Sequence, residues 1–201
     1  MKETEITVEV FEPKQTLINK LINLGFINTK NFSMNDKYYS IIPKNRLAER
    51  CFESIIRNSF LLRKIHIENS NEDDVQLLIY KDKIFDEQGN VIAEEKVQTH
   101  IDSVDKHATI FEKSGFSPYA TINSYNQIFK NGNIEFAIQD VDGLGLFIEF
   151  EEYEEIANLT PEEKIHILKE TICGLGLTLG NDFNCKKLEM VLQKNDSEQS
   201  K

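Results

Sequence analysis

Residues Asn133 to Glu152, NIEFAIQDVDGLGLFIEFEE, read as two strands on either side of an Asp142-Gly143-Leu144-Gly145 turn, and no other stretch constrains the chain as much. In the second strand Phe147, Glu149 and Glu151 share one face while Leu146, Ile148 and Phe150 share the other, because side chains alternate with period 2. The apolar row needs a cover. The carboxylate row needs water, a cation or a basic ligand. The start of the chain has the same design, with Glu3, Glu5, Thr7 and Glu9 alternating with Thr4, Ile6, Val8 and Val10. If both strands share a sheet with their acidic faces on one side, the carboxylates converge. Two unit charges about 4 Å apart repel by about 4 kcal/mol at an effective dielectric near 20, so such a cluster titrates, stays wet or binds cations. A solvated outer sheet face is the competing reading.

The 201 residues, 40% of them hydrophobic, suffice for one compact domain with a sizeable core. With 34 acidic against 23 basic residues the net charge is −11, which argues against a duplex nucleic-acid binder but leaves room for a small anionic ligand among local basic groups. No apolar run approaches a membrane span and the polar start resembles no signal peptide, so a soluble, cytoplasmic protein without a membrane partner is expected. Cys51, Cys173 and Cys185 have neither the parity of a disulfide framework nor CxxC spacing.

Along the chain, Pro13 opens a helix with the stripe Leu17, Ile18, Leu21, Ile22 and Leu24, closed by Gly25. A strand is expected over Phe32–Ile42 and a helix over Arg46–Asn58. Three strands follow, over Leu61–Glu68, Val75–Asp82 and Val91–Asp102. Ser103 and Asp105 start a helix that Gly115 ends, and Ala120–Lys130 turns at Asn131-Gly132-Asn133 into the opening stretch. Thr160-Pro161-Glu162-Glu163 carries an N-cap, a first-turn proline and a capping-box glutamate; a shorter helix is expected around Lys186–Gln193. Leu24-Gly25-Phe26 and Ser114-Gly115-Phe116 form a faint internal repeat. Two strand-helix-strand-strand halves close most economically as an antiparallel β-barrel of α+β class, with a polar, charged interior and a helix-covered exterior. A single domain is expected over 1–194, barrel to about 153 and helical extension about 160–194, with a disordered tail over 195–201.

These motifs, in this order, resemble the CYTH superfamily of triphosphate tunnel metalloenzymes, nearest to its class IV adenylyl cyclase-like branch. The family's opening Glu-x-Glu-x-Lys is similar to Glu3-Thr4-Glu5-Ile6-Thr7, with Thr7 at the lysine position. Its Asp-x-Tyr-Tyr/Phe strand resembles Asp36-Lys37-Tyr38-Tyr39, and its Leu-Arg-x-Arg strand resembles Leu62-Arg63-Lys64-Ile65-His66. There the register is open: matching letters turns Arg63 inward, while matching the alternation turns Lys64 and His66 inward, the preferred reading, or a bulge keeps Arg63 with His66. Lys81 matches the next strand's lysine, and Lys96-Val97-Gln98-Thr99-His100 stands where the family has Arg-x-Glu-x-Glu. Ser124 and Asn126 replace the Lys-x-Arg pair, Gln139 replaces an aspartate, and Glu149-Phe150-Glu151 agrees with the closing Glu-x-Glu.

The resemblance implies a tunnel in which Glu3, Glu5, Glu149 and Glu151 ligate magnesium or manganese, hard cations that take oxygen ligands and bridge phosphates. It makes Arg63 or Lys64, His66, Lys81 and Lys96 phosphate contacts. Thr7, Asp36, Tyr38, Gln98, His100, Ser124, Asn126 and Gln139 would line the rest. Three functions stand open: metal-dependent hydrolysis of a nucleotide, thiamine triphosphate or inorganic triphosphate; class IV adenylyl cyclase activity; and a non-catalytic tunnel binding an anionic or nucleotide ligand. Pairing of two molecules through an exposed barrel edge is also left open.

Overall fold

The structure is a computed structural model and describes residues 2–42, 55–71 and 73–199, leaving out the side chains of Lys2, Glu3 and 196–199. Its alternating stretches form one antiparallel sheet that curls until its two edges meet at the N-terminal strand. In chain order the elements are β1 (Lys2–Glu3), β2 (Glu5–Val10), α1 (Lys14–Asn23), β3 (Ile27–Ser40), β4 (Asn58–Ile67), β5 (Val75–Phe85), β6 (Val91–His100), α2 (Val104–Lys113), β7 (Ser117–Asn131), β8 (Ile134–Val141), β9 (Gly145–Glu151), α3 (Pro161–Cys173) and α4 (Lys187–Gln199). The strand order is β1-β6-β5-β4-β3-β7-β8-β9-β2. Because β1 and β2 are one segment interrupted at Thr4, that segment pairs with β6 through Lys2 and Glu3 and with β9 through Glu5 to Val10. The sheet is thereby closed into an antiparallel barrel of α+β class.

Where β2 diverges from β6, the chain after α3 fills the seam. Phe11 N–H donates to the Thr178 carbonyl (2.9 Å), Thr7 N–H to Phe183 (3.1 Å), and Cys185 N–H to Thr7 (3.0 Å). Asn184 completes it with its side chain, which accepts from Val91 N–H (2.9 Å) and donates to the Val91 carbonyl (2.7 Å). A side-chain amide thus supplies the donor and acceptor that a neighbouring strand would have offered the open edge.

The two faces of the sheet have opposite chemistry. Outward, Ile6, Val8, Val10, Phe129, Ile138, Ile148 and Phe150 form a buried cluster with Leu17 and Leu21 of α1 and Leu168 and Ile172 of α3. This is the cover that the apolar row of β9 requires. Inward, Tyr38, Leu61, Ile79, Ile122, Val141 and Phe147 pack with Leu188 and Leu192 of α4, so α4 stops one end of the barrel. The remaining interior is polar.

The repeat is real in geometry. Both α1 and α2 end with the same pair of bonds, Gly25 N–H to Ile22 and Phe26 N–H to Leu21, then Gly115 N–H to Glu112 and Phe116 N–H to Phe111. The two glycines have φ of 88° and 91°, a region costly for other residues. Each cap launches a long strand, β3 or β7, and these two pair with each other.

Several boundaries differ from the sequence expectations. The helix expected over Arg46–Asn58 lies mostly outside the described residues; Ile55 and Ile56 are helical and Asn58 already belongs to β4. Helix α4 runs to Gln199, through the stretch expected to fray. No helix among the described residues is long and apolar enough to cross a membrane.

The capping box of α3 is present, with Thr160 Oγ1 accepting from Glu163 N–H (3.3 Å) and Glu163 Oε2 accepting from Thr160 N–H (2.9 Å). Thr160→Ala should therefore cost about 1 kcal/mol in urea unfolding, a loss that Thr160→Ser should largely avoid.

Candidate functional site

Inside the barrel is a cavity of about 330 Å³. The register that closes the sheet also builds its acidic corner: Glu5 pairs with Glu151 and Thr7 with Glu149, so the inward faces of β2 and β9 coincide. Carboxylate oxygens of Glu5, Glu149 and Glu151 lie within 4.8 Å of one another. Burial, then the neighbouring Glu149, pushes the Glu5 carboxyl up, with Lys83 and Lys81 pulling only partly the other way. The oxygen-only donor set and the uncompensated charge at Glu5 suit a hard divalent cation such as magnesium or manganese. When bound there, such an ion would neutralise the carboxylates and polarise a phosphate oxygen.

Beyond this corner, β6, β5 and β4 supply the cations. Lys81 and Lys83 both reach Glu94, at 2.9 and 2.6 Å. Although burial opposes its charge, Glu94 is held at about 2 by these two lysines. On β4, Arg63 donates through Nε and Nη2 to the two oxygens of Asp36, both at 2.6 Å. Asp36 lies directly opposite Arg63 in the β3–β4 register. Lys96, the cross-strand neighbour of Lys81, also lines the cavity. Under α4, Lys187 donates to Glu149 and Gln139. Burial would raise the Glu149 carboxyl, but Lys187 first, then Lys81 and Arg63, hold it at about 2.

The strand order places β7 and β8 across the barrel from β6 and β5. Their buried polar residues are uncharged, Ser124, Asn126 and Gln139, while the more exposed Glu135 of β8 also lines the cavity. Asn126 Nδ2 donates to Ser124 Oγ at 2.9 Å, and its Oδ1 is buried without a partner among the described residues.

Of the residues singled out in the sequence, Glu5, Glu149, Glu151, Arg63, Lys81, Lys96, Thr7, Asp36, Tyr38, Ser124, Asn126 and Gln139 come together around one cavity. Burial holds the Tyr38 phenol protonated. The Glu3 side chain lies outside the described residues, although its backbone pairs with Glu94. The preferred register of the Leu61–Glu68 strand is corrected: Lys64 and His66 face outward and share Asp74, at 2.9 and 2.8 Å. The reason is the buried Asp36, both of whose oxygens accept from the residue directly opposite it, Arg63; Ile65 then faces the cavity too. Gln98 and His100 continue the Lys96 face of β6 but are exposed and do not line the cavity.

Three contributors were not foreseen. Lys83 and Glu94 follow from carrying the alternation one step past Lys81 and one step before Lys96. Lys187 has no such signal, because a helix distant in sequence delivers it.

No family model matches the chain. A Methanocaldococcus jannaschii protein named "putative adenylate cyclase" is 27% identical over 191 residues, spanning 94% of this chain and 98% of that protein. A Pyrococcus horikoshii structure superposes with a TM-score of 0.72 at 21% identity, covering 96% of this chain and 99% of the other. A Hippeastrum structure, described as a "putative adenylyl cyclase" with a dominant triphosphatase activity, gives a TM-score of 0.62 at 15% identity, covering 96% of each chain. At those identities the structures speak for the fold, and the first match carries the sequence likeness end to end. With that fold and the tunnel motifs in their order along one barrel, the chain is CYTH-like.

Proposed function

We propose that the chain binds a triphosphate-containing ligand together with magnesium or manganese in the barrel lumen and hydrolyses it. One observation carries the reading: a trio of carboxylates within 4.8 Å stands beside a wall of partly buried cations in the same cavity. Lys81, Lys83, Lys96 and Arg63 offer donors to phosphate oxygens at partly buried positions, where each contact counts for more than on an open surface. Glu5, Glu149 and Glu151 would hold the ion. The CYTH-like fold supports the triphosphate, as do the names of the relatives, which join adenylate cyclase with triphosphatase activity.

Cyclisation of ATP is the second reading, favoured by the end-to-end match to the Methanocaldococcus jannaschii protein. Calorimetric titration with ATP and with tripolyphosphate, with and without magnesium or manganese, followed by product analysis of the same samples, separates the possibilities. The expected result is metal-dependent binding with release of phosphate; cyclic AMP would select the second reading. No binding at millimolar ligand would sink both.

A further inference from the structure

We propose that two copies of this chain pair through the free side of β6, strand to strand, across a two-fold axis at Thr99. The inference does not depend on what the lumen binds.

Strand β6 runs on past the point where the barrel closes. β1 pairs with it only at Glu94 and Glu95, and among the described residues β5 is its one neighbouring strand from there to His100. Val97, Gln98, Thr99 and His100 are all exposed. Ile101 N–H donates to the Gln76 carbonyl at 3.0 Å, and His100 stands opposite Leu77, which fixes the phase of the ladder. Backbone groups alternate in direction along an antiparallel strand, so those of Val97, Thr99 and Ile101 turn to β5 while those of Gln98 and His100 turn away from the sheet. Among the described residues, the His100 carbonyl accepts only a long 3.4 Å bond from Thr99 Oγ1. Such an edge is a template for a further strand unless lysine, proline or a bulge blunts it, and the stretch from Val97 to Ile101 holds none of these.

The side chains point to the occupant. On the outer face Phe60 stands opposite Tyr80, with ring centroids 4.9 Å apart, and Tyr80 stands opposite Val97. This apolar row ends at the free edge, where Val97 is 67% exposed. A second β6 laid antiparallel about Thr99 sets Thr99 against its twin, Gln98 against His100 of the other copy, and Val97 against the other Ile101. No like charges meet, the apolar row gains an apolar neighbour, and threonine opposite threonine is a favourable cross-strand pair. Each Gln98–His100 pair exchanges both of its backbone bonds. Other axes fit worse. Centred on Val97, the second strand would run into Lys2, which already pairs with Glu95; centred on Gln98, it would set Lys96 against His100. A patch that complements itself in this way is what an isologous interface requires.

The test is the mass of the full chain by sedimentation or light scattering at roughly 100 μM, a concentration that fills an interface of micromolar Kd. The expected result is twice the mass of one chain. Gln98→Pro removes an N–H that the fold leaves on the free side, and Thr99→Lys sets two ammonium groups against each other across the axis. Each should weaken association roughly tenfold or more. Thr99→Glu should do the same alone. Because Thr99 faces its own twin, mixing the Thr99→Lys and Thr99→Glu proteins should restore a mixed dimer, and this keeps the test decisive if Gln98→Pro fails to fold. A native chain that stays monomeric, a dimer that survives these substitutions, or a mixture that stays monomeric overturns the inference.

Discussion

Replacing Glu94 with alanine should destabilise the barrel by about 3–5 kcal/mol, because the substitution removes one partner of a buried ionic cluster and leaves the other two charged. For a chain of this size that corresponds to a fall in Tm of roughly 6–20 °C. Lys81 and Lys83 are only 15% and 18% exposed, and both end on the same carboxylate. Without it, two ammonium groups face each other in the lumen. The pH dependence has a definite sign. The Glu94 carboxyl lies at about 2 in the fold, below its ordinary 4.5, so its contribution is complete above pH 4.5 and disappears as pH falls toward 2. Urea unfolding at pH 7 should therefore separate wild type from Glu94→Ala widely, and at pH 3 the gap should narrow. A combined Lys81→Met, Lys83→Met, Glu94→Leu variant should recover most of the stability, since a packed apolar trio carries no desolvation penalty. Equal loss in the single and combined variants would point to packing rather than charge.

How much of this was legible beforehand depended on whether a residue's surroundings were local. Strand β9 announced its two faces because Ile148 and Phe150 alternate cleanly with Glu149 and Glu151, and the structure buries the first pair under α1 and α3. The capping box at Thr160 and the paired glycine caps were equally plain, since each is decided within a few residues. Strand β4 was harder. Leu61 packs inside the barrel while Leu62 is buried on the other face, so hydrophobicity does not choose the register. What chooses it is Asp36 on the adjacent strand, a long-range ion pair that no window along β4 contains. Lys187 is the extreme case. It reaches Glu149 from 38 positions away, on a helix whose place is set by Leu188 and Leu192 packing inside one end of the barrel. The cations missing from Thr7, Ser124 and Asn126 look like a loss in the sequence; in the fold, Lys83 and Lys187 bring positive charge to the same cavity by other routes.

The acidic corner leads to an expected result in which binding and stability move in different directions. Glu5→Gln with Glu151→Gln should weaken metal-dependent triphosphate binding by about 10²–10⁴-fold, as two charge-assisted contacts at about 1.5–3 kcal/mol each are lost. Glu149 is the wrong residue to remove, because Lys187 would be left among buried groups without its carboxylate. Glu5 presents the opposite case. Burial and Glu149 raise its carboxyl above the ordinary value of 4.5, so the ionised form costs stability once pH exceeds that value, and the fold favours the protonated form. A neutral isostere relieves that cost at pH 7. Glu5→Gln alone should therefore melt no earlier than wild type, and the double variant should lose manganese-dependent binding in calorimetry. Such a pairing is what a cation site held against electrostatic repulsion requires, since the repulsion that disfavours the empty carboxylates is what the ion relieves. If binding persisted at wild-type strength in this variant, the ion would have to be held elsewhere, and the carboxylates would reduce to a wet barrel wall.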